Sequence, residues 1–359
     1  MVRTKESKAK GFFFGILAAV SYGVNPLGAK YLYEEGLNVE SVLFYRYGLA
    51  ALIIGMIMAG KMIAGRKVAS TSSATGKDSA TEPHSSVTEP VEVTGYESFK
   101  VSRGELSTLT ALGLMFVISS LTLYCSFLYM DSGVACSLLF VYPVMTAVLM
   151  AMLYGEKITK ATAAAIALSL VGVLLLYKGD GETVLSTVGV LLVMVSALSY
   201  ALYIIVANRA SAPKSELGTG HSKLSKYIPL PHRVTIHRLD MSAMKLSFYV
   251  LIVCAVSMVL FSFTSAERHL MPLVTGREWG YSLMLAIVPT VFSLVSMGIA
   301  VRIIGSTPTA IMGALEPLTA VVIGLTVFHE ALTVNLVVGI LLILTAVITI
   351  ILSKGKASA

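Results

Sequence analysis

Ten apolar stretches, each about twenty residues long and bounded by charged or turn-forming residues, constrain this chain more than any other feature. They run over 11–33, 39–60, 106–129, 133–154, 159–177, 184–208, 242–264, 278–302, 307–328 and 333–352. A helix that crosses bilayer hydrocarbon needs about 20 predominantly apolar residues. The pattern therefore predicts an all-α membrane protein of ten transmembrane helices. Continuous runs such as Val190 to Leu198 lack the polar-apolar alternation of a barrel strand, which sets outer-membrane barrels aside. Hydrophobic residues make up 56% of the 359 and charged residues only 13%, with a mean hydropathy of +0.82. Ordinary soluble domains are roughly a quarter charged, so soluble enzymes, nucleic-acid-binding modules and disulfide scaffolds are disfavoured.

The net charge of +7 is best read through topology. With the N-terminus in the cytoplasm and sides alternating, 22 of the 27 Lys and Arg fall inside, four fall outside, and Arg46 lies within a helix. Both termini are expected in the cytoplasm of a bacterial inner membrane or a comparable plasma membrane. MVRTKESKAK followed by an apolar run has the charge order of a signal peptide. The segment continues through Tyr22, Asn25 and Pro26 to Tyr33 without a small-x-small cleavage site, so it reads as the first span. Residues 61–104 are rich in Ser, Thr, Pro and Glu, a composition that cannot offset its ordering entropy, and are expected to be disordered. The basic 209–240 stretch, with Pro213, Pro229 and Pro231, reads as a cytoplasmic loop. Cys125, Cys136 and Cys254 sit in apolar runs without metal-ligand spacing and read as inert packing residues.

A repeat divides the chain into five-helix halves, 1–178 and 179–359. Tyr142-Pro143, Glu156 and Thr159 match Glu316-Pro317, Glu330 and Thr333 at an offset of 174, and Ser132 matches Ser306. Gly11 and Ser21-Tyr22 match Gly189 and Ser199-Tyr200 at an offset of 178. An odd number of helices per repeat inserts the second copy upside down, a construction that recurs in secondary transporters.

Two charged groups stand inside predicted spans, where ionisable residues are costly and mark functional sites. Arg46 could clamp a carboxylate or phosphate bidentately, or it could pair with Glu316 or a helix-end carbonyl, or snorkel outward. Glu316 precedes Pro317, which removes a backbone donor; its carboxyl could serve proton coupling or amine binding, or be a structural partner of Arg46. Its repeat mate Tyr142 precedes Pro143. Tyr22 and Asn25 lie one turn apart on helix 1. Ser119, Thr122, Ser126 and Tyr129 share a face of helix 3, as do Ser196, Ser199 and Tyr203 on helix 6 and Thr290, Ser293 and Ser296 on helix 8. Such residues also glue membrane helices together; four helices carrying them predict a moderately polar central cavity. Lys30, near Glu34 and Glu35, reads as an interfacial charge, and Glu156, His329 and Glu330 as structural groups at helix ends.

Tyr22-Gly23-Val24-Asn25, Lys30, Arg46, Gly155-Glu156 and Glu316-Pro317, in this order and spacing, resemble the EamA-type branch of the drug/metabolite transporter superfamily. The resemblance implies a ten-helix bundle that moves small metabolites, often outward, by alternating access. Tyr22 stands where the family usually has Trp, His329-Glu330 where it has Gly-Glu, and the 61–104 insertion is longer than usual. No GxxxxGK[ST], HExxH or GxSxG pattern occurs, so ATP-driven pumping, enzymatic catalysis and a bound cofactor are not expected. The reading is a secondary transporter of a small polar organic metabolite such as an amino acid, an exporter using the lipid bilayer, a small-molecule substrate and protons as coupling ion, as a monomer or homodimer. The alternatives are a nucleotide-sugar or organic-phosphate exchanger and a non-transporting scaffold or receptor. The orientation is tested by cysteines introduced at Ser79, Gly181 and Ser215. In intact cells an impermeant thiol reagent should label position 181 and spare 79 and 215; labelling of 79 from outside would reverse the topology.

Overall fold

The computed structural model describes residues 5–75, 99–154, 159–178, 186–211, 239, 241–264, 269–304, 309, 312–331 and 333–357. Ser79, Glu156, Gly181, Ser215 and most of the 61–104 and 209–240 stretches lie outside them. The described chain is helical, with no strand among these residues. The helices are α1 (Lys5–Gly23), α2 (Asn25–Glu34), α3 (Val39–Thr75), α4 (Arg103–Ser126), α5 (Ser132–Leu139), α6 (Tyr142–Tyr154), α7 (Lys160–Lys178), α8 (Thr187–Ser211), α9 (Ala243–Ser262), α10 (Gly276–Ala286), α11 (Ser293–Ile304), α12 (Leu315–Val327) and α13 (Val334–Ala357). A π-helical segment, Ile287–Phe292, joins α10 to α11. Seven helical stretches are long and apolar enough to cross a membrane, two of them combining adjacent helices across a break and one running through the π turn. Three shorter apolar helices cover Lys160–Leu175, Leu315–Val327 and Val334–Thr349.

Where an apolar run carries a proline, the helix breaks. The run predicted over 11–33 is two helices that part at Val24, because Pro26 at the start of α2 has no N–H to continue the ladder. The run predicted over 133–154 parts at Phe140 and Val141, with Pro143 in the first turn of α6. Pro289 lies in the π-helical segment and Pro317 in the first turn of α12. Proline is tolerated in a first helical turn, where the N–H would be unpaired anyway. One expectation is corrected: α3 continues to Thr75, into the stretch expected to be disordered. Residues 61–75 contain no proline and several good helix formers, so nothing stops the helix there.

Polar caps set the starts of α4 and α10. Ser102 Oγ accepts from the Glu105 N–H while Glu105 accepts from the Ser102 N–H, and Thr275 and Glu278 repeat the arrangement. The core lies between α3, α4 and α9, where Tyr47, Ile54, Leu109, Leu112, Tyr124 and Met258 are almost fully buried. Leu52, Met56, Leu170, Leu174, Leu191, Leu260, Val322 and Leu341 face outward. Such a girdle would be an aggregation hazard in water and suits lipid.

α1 packs on α11 and α12, α4 on α8 and α9, α3 on α9, α5 on α12, and α7 on α13. Close approach depends on small residues. A Cβ added to Gly23 would lie 2.5 Å from Thr319 Cβ and 2.7 Å from the Glu316 carbonyl oxygen. Gly48, by contrast, faces open space. Gly23→Val is therefore expected to lower the melting temperature in detergent, with an overpacking cost of about 1–3 kcal/mol. Gly48→Ala should leave it unchanged or raise it slightly.

Candidate functional site

The helix interruptions meet at one cavity of about 210 Å³. Asn25 beside Pro26, Tyr142 beside Pro143, Pro289 with Thr290, and Glu316 with Pro317 all line it. The freed backbone thus surrounds an internal space, where irregular backbone at membrane depth is tolerated. Tyr22, Arg46, Ser119, Tyr203 and Ser293 also line it, so eight of the eleven candidate side chains are brought together.

Arg46, seven residues into α3, is 3% exposed. Its Nε–H donates to Thr290 Oγ1 at 3.0 Å and its NH1 to Tyr124 Oη at 2.7 Å. Each acceptor is held in turn. Thr290 donates to the Leu285 carbonyl at 2.9 Å, across the π turn, and Tyr124 donates to Asn25 Oδ1 at 3.2 Å. The guanidinium lies 5.6 Å from the Tyr47 ring centroid and 5.5 Å from that of Tyr124, within cation–π range. Neutral oxygens and ring faces therefore fix this cation, and it does not reach out of the bundle. Glu316 borders the same cavity, and among the described residues it forms no ion pair with Arg46. A cation and a carboxyl thus stand apart in one small space.

Aromatic rings make up one wall. Tyr200 stacks on Tyr203 at 5.8 Å and meets Tyr142 edge-on at 4.7 Å, and Phe116 packs against both Tyr200 and Tyr203. Ser119 and Ser293 line the cavity but commit their hydroxyls to packing. Ser119 Oγ lies 3.1 Å from Ser196 Oγ, joining α4 to α8, and Ser293 Oγ donates to the Ala18 carbonyl at 2.9 Å, joining α11 to α1.

Thr122, Ser126 and Ser199 do not line the cavity. Thr122 donates to the Ile118 carbonyl and Ser126 to that of Leu123, so both bond back to their own helix. The cavity face of α4 is Phe116, Ser119, Ser120 and Leu123, an i, i+3, i+4, i+7 stripe whose two apolar members hide it from a search for polar periodicity. Cys136, read as a packing residue, is another lining residue. Tyr124, which orders Arg46, lacks any sequence signal: it is one of several tyrosines in apolar runs.

Lys30 pairs with neither Glu34 nor Glu35. Its Nζ lies 2.6 Å from Glu330 Oε1, 300 residues away. Burial works against ionisation of Glu330, but hydrogen bonds from Lys30 and Ser132 outweigh it, leaving the carboxyl below its ordinary value. Glu35 instead lies 3.8 Å from Arg277.

Together these features define an all-helical, multi-pass membrane protein with broken helices around a partly open, largely apolar cavity that carries a few polar and charged groups. The chain belongs to the EamA-like transporter family, whose profile matches residues 91–178 and 233–352, more than half of its length. It is 24% identical over 218 residues to an uncharacterised transporter of Archaeoglobus fulgidus, a match covering 61% of this chain and 66% of that protein. A solved crystal structure of a protein superposes with a TM-score of 0.55 at 12% identity, covering 98% of this chain and 99% of the other, and so shares the fold. Membership supports a general transporter role. The Arg46 network generates its own test. Tyr124→Phe removes an acceptor from Arg46 and a donor from Asn25, and should cost about 1–3 kcal/mol in unfolding experiments. Combined with Asn25→Ala, the loss should be less than additive.

Proposed function

We propose that this protein is a secondary transporter that exports a small zwitterionic metabolite, an amino acid or a related compound, by alternating access. The observation that carries the reading is the unpaired placement of Arg46 and Glu316 on one cavity of about 210 Å³. A fixed guanidinium suits a carboxylate, and a cavity carboxyl suits an ammonium or a proton. The aromatic wall would receive an apolar substituent. The volume lies below the roughly 300–1,000 Å³ typical of sites for drug-sized ligands. That size, with one lining cation, argues against a nucleotide-sugar or organic-phosphate exchanger, and a buried cation and a carboxyl on one internal cavity argue against a scaffold or receptor.

The reading includes ten spans in two inverted repeats, 1–178 and 179–359, with both termini in the cytoplasm. The packing supports it, because contacts come in corresponding pairs: α4 with α8 as α11 with α1, and α6 with α8 as α12 with α1. Two further pairs, α3 with α9 and α7 with α13, join helices that are each other's counterparts.

Protons couple to transport in this proposal because substrate and proton compete for Glu316. The test is uptake of a radiolabelled metabolite panel into proteoliposomes with and without a proton gradient. Gradient-driven accumulation of at least one amino acid is expected; a panel dominated by phosphorylated solutes would overturn the substrate class. Glu316→Gln should remain folded and continue exchange while losing accumulation, since exchange does not return an empty carrier. Wild-type accumulation in that variant, with unchanged pH dependence, would remove Glu316 from the mechanism.

A further inference from the structure

One end of the bundle is tied across far more tightly than the cavity requires. Here α2, α4, α9 and α12 finish and α3, α5, α10 and α13 begin. The segment before α10 is held to α3: the Met271 N–H donates to Ser41 Oγ at 2.8 Å and Tyr45 Oη donates to the Met271 carbonyl at 3.1 Å. At the centre of this end is the Glu330 carboxylate. Its Oε1 accepts from Lys30 Nζ at 2.6 Å, Ser132 Oγ at 2.7 Å and the Ser132 N–H at 3.0 Å, and its Oε2 accepts from the Gly133 N–H at 3.2 Å. The two amides open α5, so a carboxylate from the α12–α13 turn caps a different helix, where the helix dipole favours negative charge.

The surroundings are built to receive it. A Cβ on Gly324 would collide with Glu330 Oε2, so glycine leaves room for the carboxylate there. The turn that delivers Glu330 passes through His329 at a φ of 53°, the left-handed region. The Lys30 ammonium sits 4.5 Å from the Phe328 ring centroid. Three separate segments, α2, α5 and the α12–α13 turn, thus converge on one anion.

The cavity stops short of this cluster. In its direction the lining ends at Asn25, Leu123, Cys136 and Pro317, while in the other direction it extends to Ser247, four residues into α9. Lys30 lies five residues beyond Asn25, about 7.5 Å along the helix. We infer that Lys30, Glu330 and Ser132 form the gate that holds this end of the cavity shut, and that they separate when the cavity is presented to this side of the membrane. The inference rests on the transport reading. The chemistry suits a reversible closure: Lys30 and Glu330 retain 19% and 8% side-chain exposure, so the separated charges return to water and are not stranded in hydrocarbon. A packed apolar plug would offer no such exchange of partners.

Cys136 is a native reporter, since it lines the cavity on the helix that Glu330 caps. The full chain, carrying Cys125→Ser and Cys254→Ala, is placed in right-side-out and inverted vesicles and treated with a membrane-impermeant maleimide. With the gate intact, Cys136 should react from one face only. Lys30→Met and Glu330→Gln should each raise the rate from the opposite face by about tenfold or more, the scale of a lost charge-assisted hydrogen bond. Lys30→Arg, which keeps the charge, should stay near the parent rate. Equal rates in Lys30→Met and Lys30→Arg would overturn the gate, and this comparison decides the matter if Glu330→Gln fails to fold. Labelling reads the gate without a substrate. Altered labelling in a protein that accumulates no solute would sink the transport reading alone, and normal transport with unaltered labelling would sink the gate alone.

Discussion

A peptide group in hydrocarbon has no water to turn to, so every backbone donor and acceptor must find a partner within the protein. The architecture follows from that constraint. Helices satisfy it along the apolar outer faces, where Leu170, Leu174 and Leu191 are exposed. Prolines violate it, and Pro26, Pro143, Pro289 and Pro317 each stand at a helix break or within a first turn or the π turn. An unsatisfied backbone group facing lipid costs several kcal/mol. Turned inward, the same breaks border a cavity to which Asn25, Tyr142, Thr290 and Glu316 bring polar groups. The cavity is where the fold can tolerate irregular backbone.

Charge is handled differently at the two levels of the bundle. Arg46 is held by Thr290 and Tyr124, both neutral, so its charge is positioned without being cancelled. A direct bond to Glu316 would join the two walls of the cavity and leave little for a ligand to gain. At the end of the bundle the arrangement reverses: Lys30 and Glu330 are paired at 2.6 Å. Within the proposed reading, charges kept apart recognise a solute and charges brought together close a path. The π turn contributes to the first arrangement, because it lets Thr290 bond the Leu285 carbonyl while accepting from Arg46. π turns of this kind are frequent at functional sites.

The helices were legible because each apolar run is long and its boundaries are charged, and Arg46 and Glu316 stood out because charge is rare inside such runs. The register of the cavity face was harder to read. On α4 the polar stripe of Ser119, Thr122 and Ser126 pointed one way, while the cavity takes Phe116, Ser119, Ser120 and Leu123. A hydroxyl on a membrane helix can satisfy itself on its own backbone, as Thr122 and Ser126 do, so its presence does not report which face is wet. Tyr124 was invisible for the complementary reason: its role lies in a hydrogen bond to a residue 78 positions earlier.

The sequence by itself determined that this chain is an all-helical membrane protein, that Pro317 loosens the span carrying Glu316, and which two charges lie within the spans. These are local properties, set by hydropathy and by the missing N–H of proline. Only the tertiary structure decided that Arg46 is fixed by Thr290 and Tyr124 and not by Glu316, and that Lys30 bonds Glu330 and not its neighbours Glu34 and Glu35. A charged side chain takes whichever partner the packed helices bring within about 3 Å. Periodicity along a single helix carries no record of that distance.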